Sequence, residues 1–217
     1  MAHNSAANST PSHTKVNGPY TYTGDSVVFK DKWIGVRQVD FVLDNGYKGM
    51  WQSSFRPMTC PGAEADGVSV VATLTDKDGR QFIALVKQYR IPHDAFILEF
   101  PAGLIDEGES AEEAAIRELK EETGYSTSSI DFISSSSVPL NPGMSNETHK
   151  LALCRIDGRE ERNLNPEQKL DEGECVEVLL VKKEGMLEEL ESLTKTGEVL
   201  VESAVYNFAL GLAATGI

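Results

Sequence analysis

Two hydrophobic periods alternate along the chain, one typical of strands and the other typical of helices. Residues 33–43 alternate apolar and polar positions, and residues 47–55 resume the pattern after Asp44-Asn45-Gly46, which predicts a β-hairpin. Further strands are predicted from apolar runs at residues 68–74, 81–89, 96–100, 130–138, 148–156 and 175–181. Helical spacing of apolar residues follows at 184–193 and 201–212. An α/β fold is therefore expected, with a mixed sheet covered by helices on both faces.

The hairpin needs a surface to pack on, because an isolated hairpin is marginally stable in water. It is either an extra edge sheet on the main domain or a small N-terminal β domain of its own. Residues 57–65 have the composition of a connector. Residues 1–24 are expected to form a disordered tail, since they begin with a segment rich in Ser, Asn, Thr and Ala that lacks the apolar core of a secretory signal.

Residues 111–123 carry the strongest local helix signals in the chain. Ser110 is a good N-cap, and Glu113 completes a capping box three residues later. Gly124 is placed to end the helix in a left-handed conformation. The helix is therefore expected to run from Ala111 to Thr123.

Three glutamates of this helix, Glu118, Glu121 and Glu122, fall at positions i, i+3 and i+4 and share one face. Carboxylates at this spacing repel one another, and a hard divalent cation would remove the repulsion. Taken alone, the three residues also fit a solvated acidic surface.

The surrounding residues complete a longer motif that resembles the Nudix box. Five residues separate its first glycine from the next glutamate, and seven more precede an Arg-Glu pair. The matching positions are Gly103, Glu109, Arg117, Glu118, Leu119, Glu121, Glu122 and Gly124, followed by Tyr125 where an aliphatic residue is more common. The flanking segments VKQYR, EFPAGLID and NPGMSN resemble the ADP-ribose pyrophosphatase (ADP-sugar diphosphatase) branch of the Nudix hydrolases.

This resemblance implies a domain organisation and a reaction. Residues 63–217 would form the Nudix domain, an α/β/α sandwich, and residues 25–62 a small antiparallel β domain. The β domain would be exchanged within a homodimer and would contact the substrate. The implied reaction is the Mg²⁺-dependent hydrolysis of ADP-ribose and other ADP-sugars to AMP and a sugar phosphate, with Mn²⁺ as an alternative metal.

The metal ligands expected from this chemistry are Glu118 and Glu122, followed by Glu121. The resemblance adds the carbonyl of Ala102, beside a glycine that lets the backbone approach the ion. Arg117 cannot bind a metal, and its planar fork suits a pair with Glu109 that would orient the ligands. The alternative for Arg117 is an ordinary surface ion pair.

The general base is implied to lie outside the box, in the acidic loop at residues 171–174. Glu174 is the first choice for this catalytic role, and Glu172 is the second. Four loop residues of this composition are also typical of a solvated turn.

Six residues are expected to bind the substrate. Arg56 and Arg90 suit phosphate oxygens, because guanidinium forks match them. The resemblance implies that an adenine ring stacks between aromatic side chains and that polar neighbours contact the base edge and the ribose. The residues concerned are Trp33 and Trp51 for stacking, Gln52 for the base edge and Glu99 for the ribose. The alternative for both tryptophans is a buried core position.

Composition and the spacing of particular residues argue against several other classes of function. The net charge of -14 argues against binding to nucleic acids or anionic membranes, whose phosphates would be repelled. Three cysteines without a CxxC pair fit buried free thiols in a reducing compartment, so the cytoplasm, with the nucleus as a second compartment, is expected. The scattered histidines favour no zinc site, and no GxSxG elbow is present.

Two rival functions remain open at this level. The same box chemistry would serve hydrolysis of oxidised nucleoside diphosphates, since only the base pocket differs. A non-catalytic module that senses ADP-ribose is the rival from another class. The complete acidic set favours an enzyme over the sensor.

Overall fold

The computed structural model describes residues 18–57 and 63–216, and within these segments the strands form two separate sheets. The smaller sheet is an antiparallel meander of three strands in the order β1-β2-β3. The strands are β1 (Tyr20–Lys30), β2 (Gly35–Leu43) and β3 (Lys48–Phe55). The predicted hairpin is thus confirmed as β2–β3, and it gains a third strand.

The larger sheet is mixed and carries four helices. Its strands are β4 (Gly67–Thr75), β5 (Gln81–Arg90), β6 (Ala95–Glu99), β7 (Ala102–Leu104), β8 (Phe132–Ile133), β9 (Val138–Pro139), β10 (Thr148–Asp157), β11 (Val176–Lys182) and β12 (Val199–Val201). The helices are α1 (Ala111–Thr123), α2 (Glu161–Leu164), α3 (Met186–Thr194) and α4 (Ser203–Thr215). Six of its strands are hydrogen-bonded neighbours in the order β12-β6-β5-β4-β10-β8. Of the other three, β11 pairs with β5, β7 with β4 and β9 with β10. The β4–β10 and β6–β12 pairs are parallel.

Apolar side chains cover both faces of this sheet. Helix α1 buries Ala114, Ala115 and Leu119 against Val68, Val70, Ala72, Leu74 and Ile156. Helices α3 and α4 bury Met186, Leu190 and Val205 against Ile83, Leu85 and Leu98 on the other face. The α/β/α arrangement expected from the sequence is therefore confirmed. No helix in the described segments is both long enough and apolar enough to cross a membrane.

The N-terminal sheet meets the rest of the chain through a narrow contact. Ser54 N–H donates to the Met144 carbonyl at 2.8 Å, and Arg56 forms an ion pair with Glu147. Among the described residues, no strand of this sheet is paired with a strand of the larger sheet, and an isolated bridge joins Ser54 to Ser145. Strand β1 begins at Tyr20, inside the tail expected for residues 1–24, because it pairs with β2 along its length. Residues 1–17 of that tail lie outside the described residues.

Two other expectations need correction. Residues 130–138 do not form one strand, because only β8 and β9 pair there with β10. Ser134 between them uses its hydroxyl to bind the Ser136 carbonyl and the Leu151 N–H, which competes with a regular ladder. Of the cysteines expected to be buried, Cys154 is buried and Cys175 is exposed, while Cys60 lies outside the described residues.

Candidate functional site

Helix α1 has the local structure that its sequence predicted. Ser110 Oγ accepts the Glu113 N–H at 3.2 Å, and the Glu113 carboxylate accepts the Ser110 N–H at 2.9 Å, which is the capping box. Gly124 ends the helix with φ 75°. The apolar stripe of α1 lies on the sheet, so the glutamates at the margin of that stripe are turned towards the short strand β7.

Glu118 lies directly against the backbone of Gly103 in β7. A β-carbon built on Gly103 would be 1.9 Å from Glu118 Oε1, so no other amino acid fits at residue 103 without displacing this carboxylate. Burial raises the pKa of Glu118, while Arg117 opposes the shift. The glycine of the motif is therefore needed for this close approach.

Glu122 is one turn further along α1 and is 6% exposed. Its carboxylate accepts the Ala102 N–H at 2.9 Å. Burial raises the pKa of Glu122 to about 8, with Glu118 and Glu174 adding to the shift and the Ala102 N–H and Arg90 opposing it. A buried carboxyl group among like charges is typical of a functional site.

Arg117 connects the acidic side chains of the motif. Its Nε and Nη2 each donate to Glu109 at 2.8 Å, as the sequence predicted for this pair. Its Nη1 donates to Glu118 at 2.7 Å and to Glu121 at 3.1 Å, and Nη2 also reaches the Leu104 carbonyl. These bonds raise the pKa of Arg117 and lower that of Glu109. Arg117 is thus more than a surface ion pair, because a single guanidinium orients three carboxylates.

The acidic loop before β11 approaches the same point. Glu174 Oε2 accepts the Asp171 N–H at 3.0 Å, and the charge of Glu174 contributes to the raised pKa of both Glu118 and Glu122. Glu172 is exposed. The tertiary structure therefore brings Glu174, of the two candidates, into electrostatic contact with the glutamates of α1.

Two residues that sequence analysis missed anchor this loop to α1. Gln168 Nε2 donates to the Glu122 carbonyl at 2.5 Å and to the Val176 carbonyl at 3.1 Å. Lys169 N–H donates to the Glu121 carbonyl at 2.8 Å. Their contacts are with backbone carbonyls, so no side-chain pattern in the sequence could have indicated them.

The donor atoms of this cluster suit a hard cation. Carboxylates of Glu118, Glu121 and Glu122 and the backbone carbonyls beside Gly103 supply only oxygen ligands, which Mg²⁺ and Mn²⁺ prefer. In residues 18–57 and 63–216, however, no three acidic, histidine or cysteine side chains already converge as a ligand set. The carboxylates are instead held by the hydrogen bonds of Arg117 and of the Ala102 N–H.

Arg90 and Glu99 lie beside the glutamates of α1. Arg90 Nε donates to the two carboxylate oxygens of Glu99 at 2.8 and 3.2 Å, and the charge of Arg90 opposes the rise in the pKa of Glu122. Of the residues expected to bind substrate, Arg90 thus acts electrostatically on the acidic cluster, and Glu99 is bound to Arg90.

The other expected substrate residues have different partners within this chain. Arg56 forms its ion pair with Glu147, and Gln52 donates to Gln38 at 3.1 Å. Trp33 is 61% exposed and Trp51 is 51% exposed, so the buried-core alternative is wrong for both. Successive side chains in a strand point to opposite faces, so Trp51 and Gln52 lie on opposite faces of β3. No hydrogen bond or ion pair joins Arg56, Gln52 or either tryptophan to the glutamates of α1 within the described residues.

A buried histidine, His149 in β10, lies next to Gly67 of β4, the strand that pairs with β7. His149 Nδ1 is 2.9 Å from Ser69 Oγ, and burial lowers the pKa of the ring. A β-carbon on Gly67 would be 2.6 Å from the Gly103 carbonyl oxygen and 2.7 Å from His149 Nε2. The β4–β7 and β4–β10 pairings bring these residues together, so no local sequence pattern indicates their proximity.

Comparisons with known proteins agree with this arrangement. A family model described as NUDIX domain matches residues 65–196. A Mus musculus protein named ADP-sugar pyrophosphatase is 34% identical over 195 residues, which are 90% of this chain and 88% of the relative. A Saccharomyces cerevisiae protein named ADP-ribose pyrophosphatase is 36% identical over 182 residues, or 83% of this chain and 77% of the relative. A solved structure titled as an ADP compounds hydrolase has a TM-score of 0.60 at 22% identity, covering 94% of this chain and 98% of its own.

Proposed function

The chain belongs to the Nudix hydrolase family, whose members act on diphosphate bonds, and on that premise we propose that it hydrolyses ADP-ribose and related ADP-sugars to AMP and a sugar phosphate. The names of relatives at 34% and 36% identity support this choice of substrate. The observation that carries the proposal is the approach of Glu118, Glu122 and Glu174 to one another beside the Ala102–Gly103 backbone.

Glu118, Glu122, Glu121 and the Ala102 carbonyl are the groups proposed to hold Mg²⁺, or Mn²⁺ in its place. A bound divalent cation neutralises phosphate charge and lowers the pKa of a coordinated water. The chain itself keeps the acidic side chains in place: Arg117 holds Glu109, Glu118 and Glu121, and the Ala102 N–H holds Glu122. The raised pKa of Glu122 is consistent with a ligand that loses its proton when a cation binds.

Glu174 is the proposed general base. Its carboxylate would take a proton from a water whose oxygen bonds to one of the two phosphorus atoms. The bond from that phosphorus to the bridging oxygen would break, and the other phosphate would leave with the bridging oxygen, so that AMP and a sugar phosphate are the products. The electrostatic contact of Glu174 with Glu118 and Glu122 supports this role over Glu172.

Substrate recognition is proposed for both parts of the chain. Arg90 would bind a phosphate and Glu99 the ribose, while Trp33 and Trp51 stack on adenine with Gln52 and Arg56 nearby. The two tryptophans are exposed, so they are available to a ligand or to a second subunit. Stacking on exposed aromatic faces is an established way to hold a base.

We also propose a homodimer that exchanges the N-terminal sheets. Both faces of this sheet carry exposed apolar side chains, among them Tyr22, Phe29, Met50 and Trp51. Exposed apolar patches of this kind mark interaction surfaces. Light scattering in solution would test this, since the mass of a single chain would contradict the exchange.

The cytoplasm, with the nucleus as a second compartment, is the proposed location, because the two described cysteines are free.

The decisive experiment is AMP release from ADP-ribose, with ADP-glucose and an oxidised guanosine diphosphate alongside, with and without Mg²⁺. Rapid, metal-dependent AMP release from ADP-ribose is expected. The Glu122→Gln variant should lose it, while Glu112→Gln, an exposed glutamate on the same helix, should keep it. Faster turnover of the guanosine compound would overturn the substrate assignment, and binding without cleavage would make the protein a sensor.

A further inference from the structure

Another carboxyl group, that of Glu202, lies beside Glu99 and has no part in the proposed chemistry. Strand β12 runs parallel to β6, with Val201 opposite Leu98, and the Glu202 N–H donates to the Leu98 carbonyl at 2.9 Å. The next residue of each strand is a glutamate, so Glu202 and Glu99 are neighbours across the β6–β12 pair. Like charges on adjacent strands destabilise a sheet, so this arrangement needs a reason.

Helix capping does not explain the carboxylate of Glu202. The residue occupies the N-cap position of α4, but its side chain accepts no capping hydrogen bond. Burial raises the pKa of the Glu202 carboxyl, and Glu99 raises it further, while Arg90 lowers it. A hydrogen bond from the Phe100 N–H also lowers this pKa, so the carboxyl has a backbone partner within the fold. That partner does not explain why Glu202 lies next to Glu99 and within the electrostatic reach of Arg90.

Arg90 is the cation that the two carboxylates share. Its guanidinium is bound to Glu99 only through Nε, and its charge also acts on the carboxyl groups of Glu202 and Glu122. Across the described part of the chain, no hydrogen bond of Arg90 involves Nη1 or Nη2. The side chain is 44% exposed, whereas that of Glu99 is 16% exposed. Both terminal nitrogens are therefore available to a phosphate oxygen.

We propose that Glu202 is a positioning residue that works with Glu99 to hold Arg90, so that the free nitrogens of its guanidinium face the phosphates of the substrate. The inference rests on the proposed function, because it assigns Arg90 to the diphosphate. Fixing a flexible arginine before the substrate arrives reduces the entropy lost on binding. Glu202 would therefore act on substrate affinity through Arg90 and would not touch the reacting atoms.

The test is Glu202→Gln, which keeps the size of the side chain and removes its charge. With ADP-ribose and Mg²⁺, KM should rise about tenfold while kcat stays within about twofold of wild type. The midpoint of thermal unfolding should stay the same or rise, because a buried like-charge pair is relieved. A purely structural role predicts the reverse, with a lower midpoint and an unchanged KM. Glu198→Gln is the matched control, since Glu198 is an exposed glutamate just before β12.

A double-mutant cycle separates positioning from a direct effect. In an Arg90→Ala background, Glu202→Gln should change KM by less than about twofold, because the residue that it positions is absent. A second tenfold rise in that background would overturn the proposal. Glu202→Asp, which keeps the charge, should restore KM to within about threefold of wild type.

The outcomes also distinguish this inference from the proposed function. No AMP release by the wild-type protein would overturn both. Release by the wild type with the same KM in Glu202→Gln would overturn the positioning role alone and leave the proposed function in place.

Discussion

The backbone of Gly103 and the carboxylate of Glu118 are in such close contact that a β-carbon on residue 103 would lie 2.1 Å from the carboxyl carbon of Glu118. These two residues are the first glycine and the second glutamate of the motif, and they are far apart in sequence. The position of the Glu118 carboxylate nevertheless requires that residue 103 has no side chain. The most direct prediction follows from this contact.

Gly103→Ala should displace the Glu118 carboxylate, because the new methyl group cannot occupy the same space. A displacement of about 1 Å at such a position lowers kcat/KM by about a hundredfold. The overpacking should also destabilise the fold by about 1–3 kcal/mol. Steady-state kinetics with ADP-ribose and thermal unfolding of the same sample would measure both effects.

The control for that variant is Gly211→Ala in α4. No atom lies within 4 Å of a β-carbon at this position, so the substitution meets no obstacle. It should stabilise the helix by about 0.5–1 kcal/mol and leave activity unchanged. Full activity in Gly103→Ala would show that Glu118 tolerates displacement and would contradict its proposed role.

Arg117→Lys should lower both stability and activity, although the charge is kept. A lysine cannot reproduce the two parallel bonds to Glu109 while also reaching Glu118 and Glu121. We expect a loss of about 1–3 kcal/mol in the free energy of unfolding and a higher Mg²⁺ concentration for half-maximal activity. Urea denaturation and a metal titration measure the two effects. Arg80→Lys at an exposed ion pair is the control and should change neither.

Glu174→Gln and Glu172→Gln should differ sharply. If Glu174 is the general base, its amide variant loses about a hundred- to ten-thousandfold in kcat while Mg²⁺ still stabilises the protein against heat. Glu172→Gln should keep kcat within about threefold of wild type, because Glu172, unlike Glu174, is not among the charges that act on Glu118 and Glu122. Equal activity of the two variants would remove the proposed base.

The pH dependence of stability should report Glu122 in metal-free protein. Its folded-state pKa of about 8 lies above the ordinary value of 4.5, so between these pH values the folded state binds a proton that the unfolded state lacks. Stability therefore falls as pH rises through this window. Glu122→Gln cannot titrate, so its unfolding midpoint should fall less between pH 5 and pH 8 than that of wild type. Thermal unfolding in a chelator measures this, and parallel curves for the two proteins would contradict the assignment.

Sequence alone determined the features that depend on neighbours along the chain. The start and end of α1 follow from Ser110, Glu113 and Gly124, because caps and i to i+4 contacts are local. The same spacing put Glu118 and Glu122 on one face and let Arg117 reach Glu109. The spacing of apolar residues along the chain predicted the strands of the mixed sheet and the helices that cover it. Strand pairing was harder to foresee where side chains compete with it, as at residues 130–138.

Only the tertiary structure decided which distant residues join this helix. Strand pairing brought Ala102 and Gly103 to Glu122 and Glu118, and the loop before β11 brought Glu174 there instead of Glu172. Parallel pairing of β12 with β6 places Glu202 beside Glu99, and Arg56 forms an ion pair with Glu147 of the same chain. These contacts depend on register between strands far apart in sequence, and a shift of one residue would turn each side chain to the other face.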